Sequence, residues 1–256
     1  MIKIVFFDID GTLIDIETKR ISEKTIEALQ RLKANGIKIC IATGRSPFVL
    51  PKFEGVEFDA YLTFNGSYCF DRFGTIFDNP ISNDDVQRLI QNAAGIGRPV
   101  CIATKDRVAA NGMDQDLADY YSFAKMEPKV SEDFDTVRRE NIYQVMLGCR
   151  KQDYPAILEG VEGAKIAAWW DRATDVVPAD GGKGRGIQKV LEYYCLDRTE
   201  ALAFGDGNND IEMLEAVGTG VAMANASEEM KAIADDVCAH VANDGVYHYC
   251  LEHGLI

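Results

Sequence analysis

Asp8 and Asp10 stand two residues apart behind an apolar run, in the order Asp8-Ile9-Asp10-Gly11-Thr12. At the end of a strand that spacing lets both carboxylates project to the same side. Two carboxylates held close repel, and the arrangement is unfavourable unless a cation or a shared proton compensates. Gly11 lets the chain turn sharply and lets backbone N–H groups face a bound anion. A second acidic group, Gly205-Asp206-Gly207-Asn208-Asn209-Asp210, follows another apolar run and adds oxygen ligands. All-oxygen ligation with few protein groups suits Mg2+ rather than zinc. Thr43-Gly44-Arg45 and Gly182-Lys183-Gly184 are two further polar clusters, the first after an apolar run and the second opening a helical one. Asp-x-Asp-Gly alone is commonly just a turn, and acids at Asp206 and Asp210 could simply favour a helix N-terminus. Four clusters at strand-to-helix transitions or helix starts are harder to explain that way, and they could converge on one crevice at the strand ends.

The elements that must position them follow from the hydrophobic pattern. Ile2 to Phe7 is a continuous apolar run, expected to be a strand buried on both faces. Ser22 caps a helix with Ile26, Leu29 and Leu32 on one face, and Gly36 closes it. Ile37–Ala42 and Ala60–Phe64 read as further strands, so strand and helix alternate as in a doubly wound α/β domain. Tyr68–Phe70 and Thr75–Phe77 then flank Asp71-Arg72-Phe73-Gly74 as a hairpin with a four-residue loop. Strands are expected at Pro99–Thr104, Ile142–Leu147 and Ile166–Trp170, and alternation over Asp175–Pro178 leads back to the first domain. From Lys183 the α/β grammar returns, with a helix through Tyr194, a strand Ala201–Phe204, a helix from Asp210 and a strand Gly220–Met223. The expected architecture is a Rossmann-like, parallel core sheet formed by residues 1–80 and 182–256, with an α/β cap domain inserted as residues 81–181.

In order along the chain, Asp8-Ile9-Asp10-Gly11-Thr12-Leu13, Thr43-Gly44-Arg45, Lys183 and Gly205-Asp206-Gly207-Asn208-Asn209-Asp210 resemble the four motifs of the haloacid dehalogenase-like phosphatase superfamily. The insertion resembles the large cap of its Cof-type, subclass IIB members. Similarity also covers Asn65-Gly66, the run Gly220 to Ala226, and Asp244-Gly245-Val246; over the cap it is one of length and pattern only. The opening FFDIDGTL and the Trp169-Trp170 stretch before Lys183 most resemble a bacterial sugar-phosphate phosphatase.

The resemblance implies that Asp8 attacks phosphorus and that Asp10 protonates the leaving oxygen, then activates water. It further implies Mg2+ held by Asp8, the Asp10 carbonyl and Asp206, with Asp210 acting behind these ligands or through a water. The Thr43 hydroxyl, the Gly44 and Ile9 N–H groups and the Asn209 amide would hold phosphoryl oxygens, with Lys183 as a second cation. Arg45 either meets the incoming phosphate or salt-bridges the helix that follows it. Lys183 opposes the dipole of the helix it starts, which favours a functional reason for it over an exposed one. In the cap, Trp169, Trp170 and Arg172 could grip the leaving group or simply pack. Gly181-Gly182 and Asn79-Pro80 are candidate hinges. A phosphomutase, or a non-catalytic sensor of a phosphometabolite, would use the same pocket.

A net charge of -14 argues against a nucleic-acid or anionic-membrane partner, though not against a small phosphorylated metabolite. No apolar stretch approaches the roughly 20 residues needed to span a bilayer. Acids interrupt the opening apolar run, so no signal peptide is expected. Seven scattered cysteines without a C-x-x-C pair, most beside apolar residues, read as buried reduced thiols of a cytoplasmic protein. No protein partner is implied, and a monomer is expected because the cap already covers the site.

Overall fold

Ile4, Val5, Phe6 and Phe7 carry only apolar side chains and are fully buried, the pattern of a parallel strand covered on both faces. This is β1 (Ile4–Phe7), which starts two residues later than expected. The computed structural model describes residues 1–123, 129–168 and 171–256. Among these the further strands are β2 (Lys38–Ala42), β3 (Ala60–Thr63), β4 (Tyr68–Asp71), β5 (Gly74–Asp78), β6 (Val100–Ala103) and β7 (Val108–Ala110). They continue as β8 (Gln144–Leu147), β9 (Ala164–Ala167), β10 (Thr174–Pro178), β11 (Ala201–Gly205), β12 (Thr219–Met223) and β13 (Asp236–Cys238).

The chain divides into two compact units, one of Met1–Arg45, Leu50–Asp78 and Gly182–Ile256, the other of Ser46–Val49 and Asn79–Gly181. The first holds an eight-stranded sheet in the order β13-β12-β11-β1-β2-β3-β4-β5. Pairing is parallel from β13 to β3 and antiparallel for β4 and β5. Alternate residues of β1 enter different apolar clusters. Val5 and Phe7 join Ile39, Ile41, Leu202 and Phe204, while Ile4 and Phe6 join Cys40, Ala42, Ala203 and Ile187. A core on each face of a mostly parallel sheet is the doubly wound α/β arrangement. The helix Glu23–Ala34 packs with Leu29 and Leu32 buried, and the Ser22 hydroxyl caps it by accepting from Thr25 N–H at 3.0 Å.

The second unit is an antiparallel sheet, β7-β6-β8-β10-β9. Val100, Ile102, Val145, Leu147 and Val176 bury one face of it with Val86 and Leu89 of the helix Asn83–Gly95.

Three expectations change. The hairpin loop is Arg72-Phe73, two residues rather than four, because Asp71 and Gly74 are themselves paired. Asp71 Oδ1 closes the turn by accepting from Phe73 N–H at 2.8 Å and Gly74 N–H at 3.1 Å. The strand expected over Ile166–Trp170 is β9 and ends at Ala167; Trp169 and Trp170 lie outside the described residues. Cys195, at a left-handed helix end, is exposed, whereas the other six cysteines are buried free thiols. Among the described residues, no helix is long and apolar enough to cross a membrane.

Candidate active site

Adjacent parallel strands β11, β1, β2 and β3 end, in that spatial order, at Asp206, Asp8, Thr43 and the turn Phe64–Gly66. The sheet order therefore brings together motifs that are almost two hundred residues apart in the chain. Asp8 continues β1 and donates its N–H to the Phe204 carbonyl at 3.0 Å. The loop then folds back on itself, with Leu13 and Ile14 N–H groups donating to the Ile9 carbonyl at 3.0 and 2.8 Å. Gly11 sits at φ +94°, and any Cβ there would collide with the Asp206 carboxylate. Absence of a side chain at Gly11 is thus what lets the two acidic loops meet.

Lys183 is the first residue of the helix Lys183–Tyr194, and its side chain is fully buried. Its Nζ donates to Asp8 Oδ1 at 2.6 Å and also to Asp210 Oδ1. This lysine sits among carboxylates, not in solvent. Asp210 Oδ2 accepts from the Asp206 and Gly207 N–H groups, both at 3.0 Å, so Asp210 braces the loop that carries Asp206.

One carboxylate oxygen each from Asp8, Asp206 and Asp210 lies within 4.8 Å of the others. Three carboxylates against one ammonium leave the cluster short of positive charge. Burial, together with Asp210 and Asp206 and against the pull of Lys183, pushes Asp8 up to about 8. Burial raises Asp206 to about 6 against the hydrogen bond from Thr12. Burial also works against charge on Lys183, but Asp210 and Asp8 outweigh it and raise its pKa. An all-oxygen donor set with excess negative charge fits a hard divalent cation such as Mg2+.

Arg45 pairs with Asp10. Its guanidinium grips Asp10 with both arms, Nε to Oδ2 at 2.8 Å and Nη2 to Oδ1 at 2.7 Å. A short 3-10 turn, Pro47–Val49, follows it in place of the expected helix. Thr43 is buried, with its Oγ1 accepting from Arg45 N–H at 3.2 Å, and Asn209 donates its amide to Asn65 Oδ1 at 3.1 Å. Arg172 pairs with Asp119 at 3.0 Å within the second unit.

Two residues of the site had no role from sequence reasoning. Thr12 donates its hydroxyl to Asp206 Oδ1 at 2.9 Å, fixing that carboxylate from the neighbouring loop. Asn225 donates to the Gly11 carbonyl at 2.8 Å and accepts from Val241 N–H at 3.1 Å, so both ends of its amide hold loops in place. Both stand inside the motif runs, but their partners are too distant in sequence to be read from spacing.

The model of the haloacid dehalogenase-like hydrolase family matches residues 5–250. The chain is 35% identical to YkrA of Bacillus subtilis, which carries a phosphatase name provisionally, over 99% of this chain and 98% of YkrA. It is 29% identical to 5-amino-6-(5-phospho-D-ribitylamino)uracil phosphatase YitU of the same organism, over 98% of this chain and 97% of YitU. The solved structure of the subclass IIB sugar phosphatase BT4131 superimposes with a TM-score of 0.85 at 31% identity, over 99% of this chain and 100% of that one. The chain belongs to the haloacid dehalogenase-like hydrolase family and is an enzyme of its phosphoric monoester hydrolase class.

Proposed function

We propose that this enzyme hydrolyses small phosphate monoesters, sugar phosphates foremost, with Mg2+ and through an aspartyl-phosphate on Asp8. The observation that carries the reading is the buried cluster of Asp8, Asp206 and Asp210 around Lys183. In it a carboxylate nucleophile stands beside a fixed cation and a cation-deficient set of oxygens. The inserted unit, residues 81–181, is read as the cap that selects the leaving group, with Trp169, Trp170 and Arg172 as its candidates.

In the first step an Asp8 oxygen forms a bond to phosphorus while the ester P–O bond breaks, and Asp10 gives its proton to the departing oxygen. In the second, water attacks phosphorus and gives a proton to Asp10, the P–O bond to Asp8 breaks, and inorganic phosphate leaves. Lys183 neutralises charge on Asp8 as the phosphate dianion arrives. Ile9 and Gly44 N–H groups, the Thr43 hydroxyl and the Asn209 amide hold phosphoryl oxygens, and Arg45, paired with Asp10, adds positive charge beside the same anion. Bound Mg2+, on Asp8, the Asp10 carbonyl and Asp206 with Asp210 behind them, would screen the anionic phosphate and draw charge from it. Six buried free thiols fit a reducing compartment, and the cytoplasm is the proposed location.

Phosphate release from p-nitrophenyl phosphate and a panel of sugar phosphates, with Mg2+ or with EDTA, tests the reading. Mg2+-dependent inorganic phosphate is expected. Recovery of an isomerised sugar phosphate would point to a phosphomutase, and tight binding without turnover to a sensor.

The charge balance sets a second expectation. Asp8 and Asp206 hold protons more tightly folded than unfolded, so their contribution favours the fold at low pH. It is lost as pH rises from the ordinary carboxylate range through about 6 and then about 8. Mg2+ should offset that loss. The rise in Tm on adding Mg2+ is expected to be several degrees at about pH 8.5 and small at about pH 5. Thermal unfolding with Mg2+ and with EDTA measures it, and equal rises at both pH values would count against carboxylate-held metal.

A further inference from the structure

Phe64, Asn65 and Gly66 follow β3 with φ values of 50°, 52° and 84°, three successive residues in the left-handed region. Asn and Gly tolerate that conformation, but for a bulky residue such as Phe64, here 1% exposed, it is strained. Strain of this kind persists only where the surroundings hold it, and the surroundings here are three of the motif loops. Phe64 N–H donates to the Arg45 carbonyl at 3.0 Å and Asn65 N–H to the Thr43 carbonyl at 2.9 Å. Gly66 lies so close to the residue before Lys183 that a Cβ on it would stand 2.5 Å from the Gly182 carbonyl oxygen. Asn65 Oδ1 accepts the Asn209 amide at 3.1 Å, and a Cβ on Gly44 would stand 3.2 Å from that same oxygen. One turn thus touches the loops carrying Thr43, Lys183 and Asn209, which come from three separate stretches of chain.

We propose that the turn Phe64–Gly66 is the positioning element of the phosphate cradle, with Asn65 orienting the Asn209 amide. A carboxamide carries two N–H donors. By accepting one of them, Asn65 turns the other toward the place of the phosphoryl oxygens. This rests on the phosphatase reading above and extends it to a residue that touches no substrate. It also explains the residue type. Asn supplies both a tolerance for left-handed backbone and an acceptor, whereas Gly supplies only the first.

Asn65→Gly therefore separates function from folding, since it keeps the backbone conformation and removes the acceptor. Calorimetric titration of orthovanadate in Mg2+ would be run on wild type, Asn65→Gly, Asn209→Ala and the double variant, alongside Tm and the KM and kcat for p-nitrophenyl phosphate. Asn65→Gly is expected to bind vanadate about 5- to 10-fold more weakly, the factor for one lost hydrogen bond, at an unchanged Tm. In the Asn209→Ala background it should cause no further loss, the signature of residues acting as one unit. Unchanged vanadate affinity in Asn65→Gly, or losses that simply multiply in the double variant, would overturn the proposal and leave the phosphatase reading standing. A wild type that binds no vanadate would remove both.

Discussion

Asp8→Asn is expected to lower phosphate release by about 10^4-fold or more, the range seen when a single essential nucleophile is removed. A carboxamide oxygen is a poor nucleophile, and no other carboxylate in the cluster has Asp8's position at the end of β1. The same substitution should not harm the fold. Asn is nearly isosteric, and it takes one unit of negative charge out of a site where burial already pushes Asp8 up to about 8. In EDTA at about pH 8.5 the variant should therefore melt higher than the wild type, each kcal/mol of relief being worth about 2–4 °C. Kinetics and thermal melts on one preparation check both halves. Lost activity with a lowered Tm would mean that Asp8 is structural first.

Lys183→Met should be the most damaging single change to stability. It leaves Asp8 and Asp210 buried with no counter-charge, and removing one partner of a buried pair costs about 3–5 kcal/mol. For a chain of this size that corresponds to a fall in Tm of about 6–20 °C. The deficit has a direction in pH. Without the ammonium Asp8 retains its proton more tightly still, so the loss should be largest above about pH 8 and shrink toward about pH 5. Urea melts at the two pH values would show it, and a deficit independent of pH would mean that Lys183 acts by packing its aliphatic stem.

Much of this was legible in the sequence because the relevant signals are local. The run Ile4–Phe7, the Ser22 cap and the Lys183–Tyr194 helix are each written in consecutive residues. The acidic motifs were legible for the same reason: each is a run of consecutive residues, and four such clusters at strand ends or helix starts are harder to explain as turns than one. Pairs between distant loops were not. Arg45 and Asp10 are 35 residues apart and Asn209 and Asn65 are 144 apart, and nothing in either neighbourhood names the partner. The strands β7 and β13 are three residues long, too short for a period-two pattern to stand out. The hairpin loop is shorter than its residue types suggest: Asp71 and Gly74 are turn formers by type, yet here they pair across the strands while the Asp71 side chain closes the turn.

The most direct test of the nucleophile is an acid quench of wild-type enzyme turning over a phosphate monoester with Mg2+, followed by peptide mass mapping. A phosphoryl group on the peptide that contains Asp8, absent from Asp8→Asn treated identically, is the expected result. Steady turnover with no phosphorylated peptide in the wild type, together with turnover that survives in Asp8→Asn, would contradict it.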